Sequence, residues 1–589
     1  MLSDVTFLGK IIQVDSNNIE VEISKAIPSS SPVISGKVYK LGQIGTFVKI
    51  IAGNIVTYGL VESVSNAPSN IETTSLPINV GSRFLMIHLV GEKIGNRKFE
   101  KGIGLYPTIN DEVHIVTDED LFSIYGKIDH DSAGLLAIGK HSSSDNLDVL
   151  LDIHKLVLRH SAILGSTGSG KSNSVVAIIK QICSQMHNSR MILIDPHGEY
   201  ASAFPAAKVF RIGDSLNPLY IPFWLMNFDE LMYFLVGAKP IDDQRPEYRN
   251  FREIISQAKK SNFHLKAGDV NPNYITADSP IPFNIRKIWY DINRQVSATY
   301  TEGDINNQNK DTECLIKEGN HECLEAAEFR PYAMGNQSPH KSKRQEMYSY
   351  EKKLHARLKD SRYDFMFHPG EYKNETSLKD LHNLLQDWIG GCERLTILDL
   401  SNVPFEVMDI TVGLITRFIY DSMFWGRNEP NTGRNRPLLI AYEEAHSYLG
   451  KDDTGYARNA VERIFKEGRK FGVGAVVISQ RPSELSETIL AQIGTFIALR
   501  LTNSSDQSIV KSMAPDNMNS LINLLPSLRI GEAVIVGEAI NIPSRVRLPL
   551  QSPRPDSSDP ELVKAWIKEY DSTNDDYKCV VKKIREQRF

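Results

Sequence analysis

Short alternating stretches separated by turns fill the first 150 residues of the chain. Asn18-Ile19-Glu20-Val21-Glu22-Ile23, Phe47-Val48-Lys49-Ile50-Ile51 and Glu112-Val113-His114-Ile115-Val116 read as strands. Glycines and Asx residues break the segment at roughly ten-residue intervals, a spacing that predicts a small β-barrel and leaves a sandwich as the alternative. From about residue 155 the pattern changes. Continuous apolar runs at 161–164, 191–195, 395–400, 437–442, 474–479 and 495–500 are separated mostly by helical stretches. Apolar strands alternating with helices predict an α/β fold with a parallel sheet covered on both faces.

Between the second and third runs lies a long segment without strong strand signals, polar in its middle, which predicts a mostly helical insertion over 215–390. The predicted organisation is a barrel over 1–150, an α/β core over 151–214 and 391–550, that insertion, and a tail over 551–589. The tail opens on a turn cluster, SPRPDSSDP, followed by a short amphipathic helix near 560–570.

The strongest chemical signal follows the first apolar run. Gly165-Ser166-Thr167-Gly168-Ser169-Gly170-Lys171-Ser172 satisfies GxxxxGK[ST], after a strand and opening a helix that starts at Asn173. Glycines let the backbone wrap close to phosphates and turn its N–H groups inward, and the helix N-terminus adds positive potential. Lys171 is placed to neutralise the β and γ phosphates of ATP and Ser172 to hold Mg²⁺. The stretch Arg436 to His446 supplies the acids such a site needs, as an apolar strand ending in Glu443 and Glu444. Glu443 is the candidate for the metal side and Glu444 for the general base that polarises the attacking water. Acids are also common at exposed strand ends, so the pairing with the phosphate loop carries this assignment.

Gln480, at the end of the next strand, is a candidate γ-phosphate sensor. Arg469 ends the preceding helix, where a guanidinium can reach a neighbouring subunit; a dipole-favoured helix-end charge is the alternative. Arg463 and Arg500 are weaker candidates for the same work. Asp195-Pro196-His197-Gly198-Glu199-Tyr200 follows the second strand and reads either as an acidic element near the nucleotide or as ordinary turn chemistry.

These elements in this order resemble the HerA family of ATPases: DPHGEY, the run from Arg159-His160 into STGSGKS, the EEAH segment, and EGRKFG with SQRP. The resemblance implies a P-loop NTPase of the RecA-like, additional-strand class with an N-terminal barrel like that of ATP synthase subunits. It further implies a homo-oligomeric ring, typically hexameric, moving on double-stranded DNA. Family members work with a NurA-type nuclease, or with sirtuin-like NAD-cleaving or nuclease effectors in anti-phage defence, docked here on the barrel. The family's acid pair is usually Asp-Glu, and Glu443-Glu444 departs from it by one methylene.

Composition bounds the remaining possibilities. The balance of 41% hydrophobic and 24% charged residues is that of a folded soluble chain, and no apolar run approaches membrane-spanning length. The start MLSDVTFLGK lacks a secretory pattern, so a cytoplasmic protein is expected. Five scattered cysteines fit reduced thiols, and Cys314, His321 and Cys323 have no paired CxxC partner to complete a zinc site. A net charge of −5 requires any DNA-binding charge to be local. The basic stretches Arg286-Lys287-Ile288-Trp289-Tyr290 and Lys341-Ser342-Lys343-Arg344 are candidates for it, or solvated faces. No separate two-metal carboxylate set for DNA cleavage is recognisable. A nucleotide-gated scaffold that activates an effector without sustained pumping is the other functional reading.

Overall fold

The computed structural model describes residues 6–15, 18–24, 33–34, 37–38, 44–66, 83–95, 97–125, 134–142, 144–236, 245–266, 270–335, 337–372, 379–451, 455–513, 519–557, 560–568 and 574–586. Parts of two expected features lie outside them: 558–559 of the turn cluster, and 569–570 of the tail helix.

The first six long strands are β1 (Phe7–Asp15), β2 (Asn18–Ile23), β3 (Phe47–Ala52), β4 (Ile55–Ser65), β5 (Phe84–Ile94) and β6 (Glu112–Ile115). They pair antiparallel in the order β2-β1-β6-β3-β4-β5, and β5 pairs back onto β2, from Asn18 opposite His88 to Glu22 opposite Phe84. The sheet therefore closes, which decides for the barrel over the sandwich. Alternate residues point inward, so Leu8, Ile11, Val21, Val48, Ile50, Val61, Leu85 and Ile87 form the barrel's own core.

The second sheet has eleven strands. In chain order they are β7 (Leu135–His141), β8 (Ser144–Asp152), β9 (Ser161–Leu164), β10 (Met191–Asp195), β11 (Lys208–Arg211), β12 (Leu395–Asp399), β13 (Leu438–Tyr442), β14 (Val473–Ser479), β15 (Thr495–Ala498), β16 (Glu532–Gly537) and β17 (Ser544–Arg547). Their spatial order is β8-β7-β17-β16-β15-β9-β14-β13-β10-β12-β11. The seven strands from β15 to β11 are parallel. The six apolar runs seen in the sequence supply six of them; the seventh, β11, is not one of those runs.

The expected parallel sheet is present, and β16, β17, β7 and β8 extend it antiparallel beyond β15. The boundary expected at residue 150 falls inside β8, and the strands over 135–152 belong to this sheet. Their alternating pattern reads like barrel sequence because they lie in the antiparallel part of the large sheet.

Both faces of the parallel strands are covered. Along β10, Ile192 and Ile194 join one hydrophobic cluster while Met191 and Leu193 join the other. Helix α1 (Lys171–Gln185) packs Val175, Val176, Ile179 and Ile182 on the second side. Helices α2 (Phe405–Trp425) and α3 (Tyr456–Glu467) cover the first side with Val412, Ile415, Ile419, Val461 and Ile464. Each buried aliphatic side chain contributes on the order of 1.5–3 kcal/mol.

The insertion carries helices at Phe228–Val236, Pro246–Lys266, Ile285–Ser297 and Tyr348–Lys359. Its middle is less helical than expected: Thr299–Tyr300 pairs with His340–Lys341, and Leu315–Lys317 pairs with Glu328–Phe329. The stretch Arg286 to Tyr290 lies in a helix whose Trp289 and Tyr290 are buried. Trp289 donates to Glu351 at 2.9 Å, so its aromatic face belongs to the insertion's core rather than to a DNA surface. Among the described residues, no helix is long and apolar enough to cross a membrane.

Candidate nucleotide site

Strand β9 ends at Leu164 in the middle of the eleven-stranded sheet, and the chain turns there into the Gly165–Ser172 loop before α1. Its neighbours anchor the loop. Gly165 N–H donates to Ser479 O at 3.2 Å, Ser166 N–H to Arg500 O at 2.9 Å, and Gly531 N–H to Ser169 O at 3.0 Å. Gly168 and Gly170 take φ of 73° and 97°, the left-handed region where side chains are strained. A Cβ on Gly165 would meet Ser169 Oγ at 2.6 Å and Leu499 Cβ at 2.9 Å. The loop thus has room only for glycine where the backbone must curl. Ser169 Oγ is buried with no hydrogen-bond partner among the described residues. An orphaned donor inside a glycine cradle at a helix N-terminus fits a phosphate ligand.

The acid pair closes the other side. Glu443 follows β13 and is buried; Glu444 next to it has φ 47°, a conformation that costs a non-glycine residue about 1–2 kcal/mol. Such strain persists only where the surroundings impose it. Lys171 Nζ lies 2.5 Å from Glu444 Oε1 and 3.3 Å from Glu443 Oε1. Burial works against the lysine's charge, but Glu443 and Glu444 more than offset it and raise its pKa. Burial likewise pushes the Glu443 carboxyl up to about 7, against the opposing pull of Lys171. Tyr200 OH donates to Glu443 Oε2 at 2.8 Å.

Gln480 spans the gap between loop and acids. Thr167 Oγ1 donates to Gln480 Oε1 at 2.6 Å, and Gln480 Nε2 donates to Glu444 Oε2 at 3.2 Å. Ser172 Oγ donates to Glu199 Oε2 at 3.4 Å, so the DPHGEY turn reaches the position proposed for Mg²⁺. Asp195 orders that turn instead of reaching into the cradle: it accepts from the backbone N–H groups of His197 at 3.2 Å, Gly198 at 2.9 Å and Tyr200 at 3.1 Å. Burial raises its pKa to about 6.

The structure therefore brings together Gly165 to Ser172, Glu443, Glu444 and Gln480. The other candidates have other contacts or places. The Asn173 side chain is occupied by the chain after β17, donating to Pro549 O at 3.1 Å and accepting from Gln551 N–H at 2.8 Å. Arg469 is exposed in the turn that leads into β14, at the amino edge of the sheet, whereas the cradle lies at the carboxyl edge. A seven-residue strand separates the two edges, roughly 20 Å at about 3.3 Å per residue, so Arg469 does not serve its own subunit's cradle. Arg463 lies over the Tyr420 ring at 4.5 Å. Arg500 meets the loop through its carbonyl.

Sequence reasoning missed Tyr200, His446 and the strap over 549–556. The first two are the last residues of motifs already singled out. Backbone contacts hold most of the strap: Lys180 Nζ donates to Ser552 O at 3.0 Å, and Asp556 N–H to Glu199 O at 2.7 Å. Carbonyls and amides leave no signature in residue type.

Residues 136–419 match the family model described as Helicase HerA, central domain, and 428–558 match Helicase HerA-like C-terminal. The DNA double-strand break repair helicase HerA of Saccharolobus solfataricus is 25% identical over 548 residues, covering 89% of this chain and 91% of that protein. Its counterpart in Sulfolobus acidocaldarius is 27% identical over 463 residues, covering 78% and 77%. Among solved structures, VirB4 of Thermoanaerobacter pseudethanolicus aligns with a TM-score of 0.44 at 14% identity, over 72% of this chain and 98% of that one. The bacterial conjugative coupling protein TrwB aligns at 0.42 and 13%, over 76% and 94%. With family models for the HerA central domain and the HerA-like C-terminal domain matching the chain from the end of the barrel to the strap, this protein belongs to the HerA helicase family.

Proposed function

We propose that the protein hydrolyses ATP at the Gly165–Ser172 cradle and, assembled as a ring of six subunits, uses the reaction to move on double-stranded DNA. The observation that carries this reading is the placement of Lys171 between Glu443 and Glu444 at the mouth of a loop only glycine can form. In this reading Lys171 exchanges its carboxylate partners for the β and γ phosphates of the incoming nucleotide. The backbone N–H groups of Thr167, Gly168 and Gly170 to Ser172, with the α1 terminus, hold the phosphates. Ser172 and Glu443 are the residues that would hold Mg²⁺, which when bound supplies neutralisation of the developing phosphate charge. Glu444 takes a proton from water, the water oxygen bonds to the γ-phosphorus, and the bond to the bridging oxygen breaks, leaving ADP and phosphate. Gln480, linked to both Thr167 and Glu444, reports the γ-phosphate to the base.

Arg469 of the neighbouring subunit completes the site in this account. Its exposure on the far edge of the sheet supports such a role, because a ring that places one subunit's amino edge against the next one's carboxyl edge brings them together. The closed barrel over β1 to β6 is the proposed docking face for a nuclease or NAD-cleaving effector, in DNA processing or anti-phage defence. The test is ATP turnover with and without linear duplex DNA. The account expects stimulation by DNA and at least ~10²-fold loss in Lys171→Ala; no stimulation by any DNA removes the motor reading.

A further inference from the structure

The two oxygens of Glu444 are held in different ways. Oε1 meets Lys171 Nζ at 2.5 Å, the contact the nucleotide phosphates displace. Oε2 meets Gln480 Nε2 at 3.2 Å and His446 Nδ1 at 3.2 Å. A carboxylate only accepts, so the imidazole nitrogen facing it is placed to donate when the hydrogen sits on Nδ1. Ser479 Oγ lies 3.3 Å from the same nitrogen and accepts from Arg481 N–H at 3.0 Å, which ties the imidazole to the end of β14.

The backbone supports the same arrangement. Glu444 sits at φ 47° and His446 follows on the short turn Ala445–Ser447. Ser447 fastens that turn to the Glu444 carbonyl twice, by its N–H at 2.9 Å and its hydroxyl at 2.8 Å. Base and histidine thus ride on one rigid unit, and His446 points at the base rather than at solvent, with its side chain only 15% exposed.

We propose that His446 is a positioning residue for ATP hydrolysis: together with Gln480 it fixes Glu444 Oε2, so that Oε1, released by Lys171, is the oxygen that accepts the proton of the attacking water. The inference rests on the ATPase reading above. A carboxylate pinned through one oxygen keeps the other aimed, whereas an unpinned one rotates about its last torsion and loses alignment with the water. His446 touches neither phosphate nor water in this scheme, so its loss lowers turnover and leaves binding intact.

The test compares His446→Leu, which removes the donor at similar bulk, with His446→Asn, whose amide nitrogen sits where Nδ1 does. For each, kcat and KM for ATP are measured alongside the affinity for a fluorescent ATP analogue. His446→Leu is expected to lose about 10- to 100-fold in kcat with KM and analogue affinity within about twofold of the parent, and His446→Asn to recover most of the loss. The analogue affinity also certifies a folded cradle in each variant. A wild-type kcat in His446→Leu, a loss confined to KM, or an Asn variant no better than Leu overturns the proposal. Absence of ATP hydrolysis in the unmodified protein instead overturns the ATPase reading itself.

Discussion

Replacing Glu443 by glutamine should stabilise the nucleotide-free protein while destroying its activity. Burial raises the Glu443 carboxyl from its ordinary 4.5 to about 7 even with Lys171 at 3.3 Å. Between those values the folded chain holds a proton that the unfolded chain has released. Stability therefore falls as pH rises through that window, and above pH 7 the full penalty stands. At about 1.4 kcal/mol per pH unit the penalty amounts to about 3 kcal/mol. Glutamine carries no charge to desolvate, and its two ends still match their neighbours, the carbonyl facing Lys171 and the amide facing the Tyr200 hydroxyl. Denaturant unfolding of Glu443→Gln and the parent, in chelator and without nucleotide, should show a gain of about 2–3 kcal/mol at pH 7.5 that shrinks toward zero near pH 4.5. A variant less stable than the parent at pH 7.5, or a gain that grows as the pH falls, refutes the reasoning.

Other substitutions probe the surrounding framework. A Cβ on Gly413 of α2 would lie 2.7 Å from Tyr456 C and 2.8 Å from Ala457 N, backbone atoms that cannot rotate away. Gly413→Ala should accordingly destabilise the core by about 1–3 kcal/mol, read by denaturant unfolding. Gln480→Ala removes the bridge between Thr167 and Glu444 and should lower kcat by about 10- to 100-fold with nucleotide affinity retained, read by steady-state turnover and analogue binding. Asn173→Ala should leave nucleotide affinity within about twofold, because the side chain holds the strap, while amide exchange of Gln551 accelerates.

The parallel core was legible in the sequence because strands buried on both faces are written as unbroken apolar runs. SAIL, MILID and LTILDL need no partner to be recognised as β9, β10 and β12. Edge strand β11, Lys208-Val209-Phe210-Arg211, is short and charged at both ends, so nothing distinguishes it from a loop. Strands β7 and β8 alternate like barrel strands, since in the antiparallel half of the sheet an alternating pattern serves in either place. At the site, the phosphate loop and acid pair were legible because their chemistry demands particular residue types at fixed spacing. What the Asn173 side chain holds was not, since nothing in the residue types brings Pro549 and Gln551 back to the start of α1. Arg469 was readable as an arginine at a helix end, but its distance from its own cradle emerges only when the strand order is known.

The central claim is that each site is shared by two subunits. Mixing Lys171→Ala with Arg469→Ala before assembly tests it, because each variant alone lacks half of every site. In a randomly mixed ring about a quarter of the seams pair an intact cradle with an intact neighbouring arginine. The account predicts that the mixture recovers DNA-stimulated ATP hydrolysis that neither variant shows alone, peaking near equal proportions. A mixture as inactive as its two components, with ring assembly confirmed, contradicts it.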